Sequence, residues 1–218
     1  MREVLGRVPK VPKTAGARRT LENTLRRFGF AFVAGVDEVG RGCLAGPVMA
    51  GAVVLDPARH IPGLADSKAL SAAARERLHD QIIAQAITWA VEAVDPQEID
   101  RINIHQATLR AMQRAVLALS PLPDAVLVDA FRVPDLPMAQ RAVVGGDRRA
   151  SAIAAASIVA KVTRDRWMSR LDAEDPRYGF RRHKGYGTAE HLAAVARFGY
   201  SHQHRRSFRP QRLFDTMD

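Results

Sequence analysis

The stretch Phe30-Ala31-Phe32-Val33-Ala34-Gly35-Val36-Asp37-Glu38-Val39-Gly40-Arg41-Gly42 decides how this chain folds. Residues 30–36 are apolar enough for a buried strand, and they run straight into two carboxylates and a glycine turn. Residues 46–55, rich in Val and closed by Asp56-Pro57, give a second strand. The simplest arrangement is a hairpin-like pair joined through residues 38–45.

Working outward, helical spacing of Leu78, Ile82 and Ile83 predicts a helix over 71–86, and residues 87–94 a third strand. A short helix with Pro96 in its first turn follows at 96–101. A longer helix spans 103–119, with Asn103 as a plausible N-cap and Pro121 beyond its end. Short strands are expected at 125–128 and 142–144, then an alanine-rich helix over 151–171 and a last helix over 188–198. Before these elements, residues 21–28 read as a short helix leading into the domain. Strands that cluster early and then alternate with helices argue for a mixed sheet covered by helices.

The 218 residues suffice for one well-buried domain, and 47% hydrophobic with 26% charged content is ordinary for a globular enzyme. No apolar run reaches the roughly 18 residues a membrane span needs, and the charged N-terminus lacks a signal peptide's apolar core. The single cysteine, Cys43, excludes an internal disulfide framework and a cysteine zinc site. A cytoplasmic protein is expected. The net charge of +10 gathers at the two ends: residues 1–30 hold eight Arg/Lys against two acids, and 177–212 hold nine against one. Basic ends around a near-neutral middle suit a polyanion, because each neutralised phosphate releases counterions. The bland alternative is a solubilising excess of arginine. Residues 1–20 pack too little apolar surface to fold alone, so 1–30 reads as a flexible basic arm, 31–175 as the catalytic domain, and 176–218 as a basic helical segment completing a substrate cleft.

Four acids sit where acids are awkward. Asp37 and Glu38 close the first strand, Asp129 ends Ala125-Val126-Leu127-Val128, and Asp147 follows Val143-Val144-Gly145-Gly146. A carboxylate at a buried strand end costs desolvation unless something compensates. Three such ends on one sheet edge would suit Mg2+ or Mn2+, which prefer hard oxygen ligands. Phosphodiester hydrolysis uses such a cluster, with two ions roughly 3.5–4 Å apart acting on the attacking water and the leaving oxygen. Each Asp alone is equally well a turn former.

The ordered motifs Val33-Ala34-Gly35-Val36-Asp37-Glu38-Val39-Gly40-Arg41-Gly42 and Leu44-Ala45-Gly46-Pro47-Val48 resemble the signature block of the ribonuclease HII (type 2 ribonuclease H) family. So do Asp66-Ser67-Lys68, Asn103-Ile104, Val128-Asp129, Ala154-Ala155-Ala156-Ser157-Ile158, Lys161-Val162-Thr163-Arg164-Asp165, His183-Lys184-Gly185-Tyr186-Gly187-Thr188 and His204-Arg205-Arg206-Ser207-Phe208. The resemblance spans nearly all of 31–210. It implies an α/β ribonuclease H-like fold: a five-stranded mixed sheet flanked by helices, with a small C-terminal helical part. It implies an endoribonuclease that cuts the RNA strand of RNA–DNA hybrids. The same resemblance implies incision of duplex DNA on the 5′ side of an embedded ribonucleotide, leaving 3′-hydroxyl and 5′-phosphate ends, with two Mg2+ or Mn2+ ions on Asp37, Glu38, Asp129 and Asp147. Gly40, Arg41 and Gly42 would read the ribose, since a 2′-hydroxyl must be hydrogen-bonded by a close-fitting loop. Tyr186 would pack on the next sugar. Lys68, Asn103 and Lys184 are candidate phosphate contacts, with surface lysines and an N-cap as the alternatives. Asp165, inside a helix, is read as pairing with a nearby Arg. A monomer is expected, and the basic tail 208–214 is a candidate for contacting a replication clamp.

The chain departs from the family at Gly145, where lysine is usual, and at Ala130, where glycine is common. Arg148 and Arg149 restore local charge. Among rivals, the type 3 enzymes carry threonine in place of Arg41 and a large N-terminal domain. A DEDD exonuclease needs Asp-x-Glu where this chain has adjacent acids, and a non-catalytic binding module would show a broken acid set.

Overall fold

The computed structural model describes residues 19–64 and 70–208. Lys68, residues 1–18 of the expected 1–30 arm and the tail residues 209–214 therefore lie outside the described residues, while residues 20–27 of that arm form a helix with Leu21 and Leu25 buried. Five strands form one sheet in the order β3-β2-β1-β4-β5: β1 Val33–Val39, β2 Val48–Leu55, β3 Ala86–Val94, β4 Ala125–Asp129 and β5 Ala139–Val143. β1 and β2 pair antiparallel with Asp37 opposite Gly51, as do β2 and β3. β1–β4 and β4–β5 are parallel, with Val36 opposite Val128 and Asp129 opposite Val143. The C-terminal ends of β1, β4 and β5 thus share one sheet edge.

Helices cover both faces. The helices are α1 Thr20–Arg27, α2 Ala72–Gln85, α3 Pro96–Ile102, α4 Ile104–Leu117, α5 Ser151–Glu174, α6 Phe180–His183 and α7 Ala189–Phe198. Ala107, Ala111, Met112 and Ala115 of α4 pack on Ala34, Val36, Val126 and Val128. The alternate row, Val33, Ala125 and Leu127, packs on Ile153 of α5, as the two-residue side-chain period of a strand requires. Gly35 belongs to this second row, and α5 lies directly upon it: a Cβ there would stand 2.0 Å from the Ala152 carbonyl carbon. At Gly51 the neighbour is the Ala156 carbonyl oxygen, at 2.6 Å. The alanine run of α5 and these two glycines together bring helix and sheet close.

The first turn of α5 takes a cap from far away. Its N-cap position, Ala150, supplies no side-chain cap, and the Ala152 N–H donates instead to the buried Glu22 carboxylate at 2.7 Å. An acid at a helix N-terminus also meets the positive end of the dipole. Burial nonetheless pushes the Glu22 carboxyl above its ordinary range. Beyond α5, a 3-10 turn (Pro176–Tyr178), α6 and α7 fold back; Tyr178, Phe180 and Val195 pack on Ala45, Met168 and Leu171. Among the described residues no helix is long and apolar enough to cross a membrane.

Two expected boundaries move. β1 continues to Val39, so Asp37 and Glu38 lie inside the paired strand rather than after it. β5 begins and ends earlier than 142–144, leaving Val144 outside the strand and 76% exposed. β5 is an edge strand whose Gln140 and Arg141 break any apolar run, so its pairing with β4 shows only in three dimensions.

Candidate active site

The two-residue period that faces Val33 and Gly35 toward α5 also turns Asp37 that way. There its carboxylate is buried and accepts from the Glu38 N–H at 2.8 Å and from the Ser157 hydroxyl on α5. Burial first, and then the negative charges of Glu38 and Asp129, hold the Asp37 carboxyl well above the usual range; the Ser157 and amide hydrogen bonds oppose this only partly. Asp129, at the end of β4, accepts from the Gly146 N–H at 2.7 Å. Gly146 opens the 3-10 turn Gly146–Arg148 that carries Asp147, so this fourth acid sits on a turn tied directly to the third. Gly145 has φ +61, a backbone conformation glycine adopts freely and other residues adopt only at a cost. The Asp147 carboxylate lies 4.0 Å from the Arg148 guanidinium.

Asp37, Glu38 and Asp129 are therefore within electrostatic reach of one another, and the donors given to Asp37 are neutral. Among the described residues no three His, Cys, Asp or Glu side chains stand at metal-ligand spacing. Like charges push such side chains apart, and a hard divalent cation is the species that would draw them together. The donor set of carboxylate oxygens fits that chemistry.

Beside the acids, Glu38 pairs with Arg41 at 3.8 Å, and the Arg41 guanidinium lies 4.8 Å from the centre of the Phe131 ring. The loop after β1 is bound to the loop before α7: Leu44 N–H and Ala45 N–H both donate to the Gly185 carbonyl. Gly185 has φ +85, and a Cβ there would meet the Ala45 carbonyl oxygen at 2.4 Å. This contact sets Tyr186, 41% exposed, next to the glycine turn. Burial, and the Cys43 thiol beside it, raise the phenol's pKa.

The other predicted residues have different surroundings. The Asn103 side-chain oxygen accepts from the His105 and Gln106 N–H groups, capping α4. The Lys184 ammonium is half-buried and donates to Ser169 Oγ at 2.8 Å and the Asp165 carbonyl at 3.2 Å. Asp165 pairs with Lys161 at 2.8 Å and Arg75 at 3.5 Å.

Sequence reasoning passed over the groups beneath the loops. Arg164 and Arg205 are fully buried. Arg164 falls seven residues after Ser157, hence on the same buried stripe of α5, and that spacing was the available signal. Behind Tyr186, hydrogen bonds fix three histidines as neutral tautomers. The Ser201 N–H donates to His204 Nδ1 at 3.0 Å, which leaves His204 Nε2 to donate to His191 Nε2 at 3.0 Å. His191 Nδ1 then donates to the Tyr186 carbonyl at 2.9 Å. Likewise the Gly185 N–H donates to His183 Nδ1, and His183 Nε2 donates to the Tyr178 carbonyl.

Burial lowers both His191 and His204 from 6.5 to about 4. The unfolded chain therefore binds protons on both rings below 6.5 while the folded protein does not until about 4. Stability is full above 6.5 and falls through that window, by up to roughly 1.4 kcal/mol per pH unit for each ring. Denaturant midpoints from pH 7 to pH 4.5 should show this, with a flatter slope in His204→Asn; an unchanged slope in that variant would contradict the neutral relay.

The family model described as Ribonuclease HII matches residues 34–211. The chain is 56% identical over 180 residues to a ribonuclease HII of Coxiella burnetii (strain Dugway 5J108-111), covering 83% of this chain and 89% of that one. Its fold is similar to the crystal structure of ribonuclease H2 from Pyrococcus horikoshii OT3, at a TM-score of 0.70 and 26% identity over 84% of this chain and 96% of that one. It is similar also to the structure of the PCNA:RNase HII complex from Archaeoglobus fulgidus, at a TM-score of 0.68 and 27% identity over 84% and 99%. The chain belongs to the ribonuclease HII family and is a nuclease.

Proposed function

We propose that this ribonuclease HII family member hydrolyses the RNA strand of RNA–DNA hybrids and incises duplex DNA on the 5′ side of an embedded ribonucleotide. The observation that carries this reading is a juxtaposition on one sheet edge. The buried Asp37, repelled by Glu38 and Asp129, stands next to a glycine turn whose following residues, Leu44 and Ala45, are hydrogen-bonded to the Tyr186 loop at Gly185.

In this reading Asp37, Glu38, Asp129 and Asp147 hold two divalent cations, Mg2+ or Mn2+, which supply Lewis-acid charge for the attacking water and the leaving 3′-oxygen. Ser157 and the Glu38 amide orient the Asp37 carboxylate, and the Gly146 amide orients that of Asp129. Gly40, Arg41 and Gly42 meet the ribose, and the half-exposed Tyr186 ring packs on the adjoining sugar. Arg41, held by Glu38 and Phe131, keeps the turn against the acids. Lys184, whose ammonium sits on α5, contributes to phosphate binding through local positive potential. Lys68 and Asn103 are assigned to the same path of phosphates. A sliding clamp is a partner by analogy with the archaeal complex, and the reading places a monomer in the cytoplasm.

A duplex of DNA with one internal ribonucleotide, labelled at its 5′ end, tests the proposal. With Mg2+ or Mn2+ it should yield a single product cut on the 5′ side of the ribonucleotide, and with a chelator none. A ladder from one end, or binding with no cut in either metal, would refute it.

A further inference from the structure

We propose that Arg205 is a positioning residue for ribose recognition: its guanidinium takes the carbonyls of the Gly40–Gly42 turn and thereby aims two successive amides at the nucleic acid. This deepens the function proposed above and rests on that reading of the turn.

The guanidinium of Arg205 is wholly buried. Nη2 donates to the Gly40 carbonyl at 2.7 Å and to the Gly46 carbonyl at 2.9 Å. Nη1 donates to the Arg41 carbonyl at 2.8 Å, and Nε to Gly46 at 3.0 Å. The Phe208 ring lies 5.1 Å from the guanidinium carbon. Among the described residues it forms no ion pair within 4 Å; the Asp100 carboxylate accepts from the N–H groups of Arg206 and Ser207 and acts on the Arg205 guanidinium only through its charge at longer range. A buried charge with no carboxylate in contact is costly, and its retention here is explained by the carbonyls it gathers.

The geometry of the peptide unit supplies the consequence. In a trans peptide the C=O of one residue and the N–H of the next point in opposite directions. With the Gly40 and Arg41 carbonyls both turned to Arg205, the N–H groups of Arg41 and Gly42 both point away from it. Successive amides facing one way form a concave donor pair suited to an oxygen lone pair. The Gly40 φ of +90 makes this turn possible, and a Cβ on Gly40 would strike the Arg164 side chain at 2.3 Å. Arg164 completes the frame: it donates to the carbonyls of Ala45, Pro47 and Lys184, locking the segment that follows the turn to the loop of Tyr186.

Lysine at 205 keeps the charge but cannot reach three carbonyls in one plane. The measurement is the dissociation constant, in Ca2+, for a DNA duplex with one ribonucleotide and for the same all-deoxy duplex. Arg205→Lys should lose at least about fivefold of the wild-type preference for the ribonucleotide duplex, while its affinity for the all-deoxy duplex stays within about twofold. A destabilised but unspecific frame would weaken both equally, and a folded Arg205→Lys with full preference overturns the proposal. Should that variant not fold, hydrogen exchange on the wild-type protein decides. The Arg41 and Gly42 amides should be protected by the ribonucleotide duplex and not by the all-deoxy one, and equal protection overturns the proposal. A wild-type protein with no preference at all would instead remove the functional reading on which this rests.

Discussion

Asp37→Asn is expected to lower the rate of ribonucleotide incision by on the order of 10³-fold or more, while making the metal-free protein more stable. The two effects have one cause. In the folded protein the Asp37 carboxylate is buried against Ser157 and pressed by the charges of Glu38 and Asp129, so its ionised form is disfavoured. An asparagine has nearly the same shape, can keep the Glu38 amide as a donor to its oxygen, and removes the repulsion. A gain of about 1–2 kcal/mol, or a few degrees in melting temperature, follows. The gain should appear without divalent ions and shrink when Mg2+ or Mn2+ is added, because a cation held by the set stabilises only the wild type by mass action. Melting curves of both proteins with and without Mn2+, beside the incision assay, check this. A variant that keeps wild-type activity would remove Asp37 from the centre of the chemistry, and one that melts below the wild type without divalent ions would contradict the repulsion.

Gly35→Ala should have the largest effect on folding. The added Cβ would lie 2.0 Å from the Ala152 carbonyl carbon and 2.2 Å from the Ile153 nitrogen, both backbone atoms in the first turn of α5. No rotamer change relieves such a contact, so α5 must lift off β1. Overpacking against flexible side chains typically costs about 1–3 kcal/mol, and a backbone collision of this kind should cost about 4 kcal/mol or more. Lifting α5 also draws Ser157 from Asp37, so whatever protein remains folded should be slow. Urea titration of the variant measures the loss; a midpoint equal to that of the wild type would mean that the helix does not approach β1 as described.

Much of this was determined by the amino-acid sequence alone. The short Val-rich apolar runs at 30–36, 46–55 and 125–128, bounded by turn residues, suit buried strands, and each contains most of one. Helical spacing placed α2, α4, α5 and α7 to within a few residues, and the starts of α2, α4 and α7 are written by their cap residues Ser71, Asn103 and Thr188. The acids Asp37, Glu38 and Asp129 stood out because carboxylates beside buried valines need a reason. The tertiary structure alone decided what surrounds them. β5 was placed only at its C-terminal end, by the expected strand at 142–144, because its first residues, among them Gln140 and Arg141, carry no apolar pattern. Glu22 caps α5 from 130 positions away, and Arg205 binds the Gly40 carbonyl from 165 positions away. A local pattern reports which side chains seek burial, but not which distant carbonyl or amide will meet a buried charge. The turn at Gly40–Gly42 was legible as a turn from its glycines; the direction its amides face is fixed only by the arginine folded beneath it.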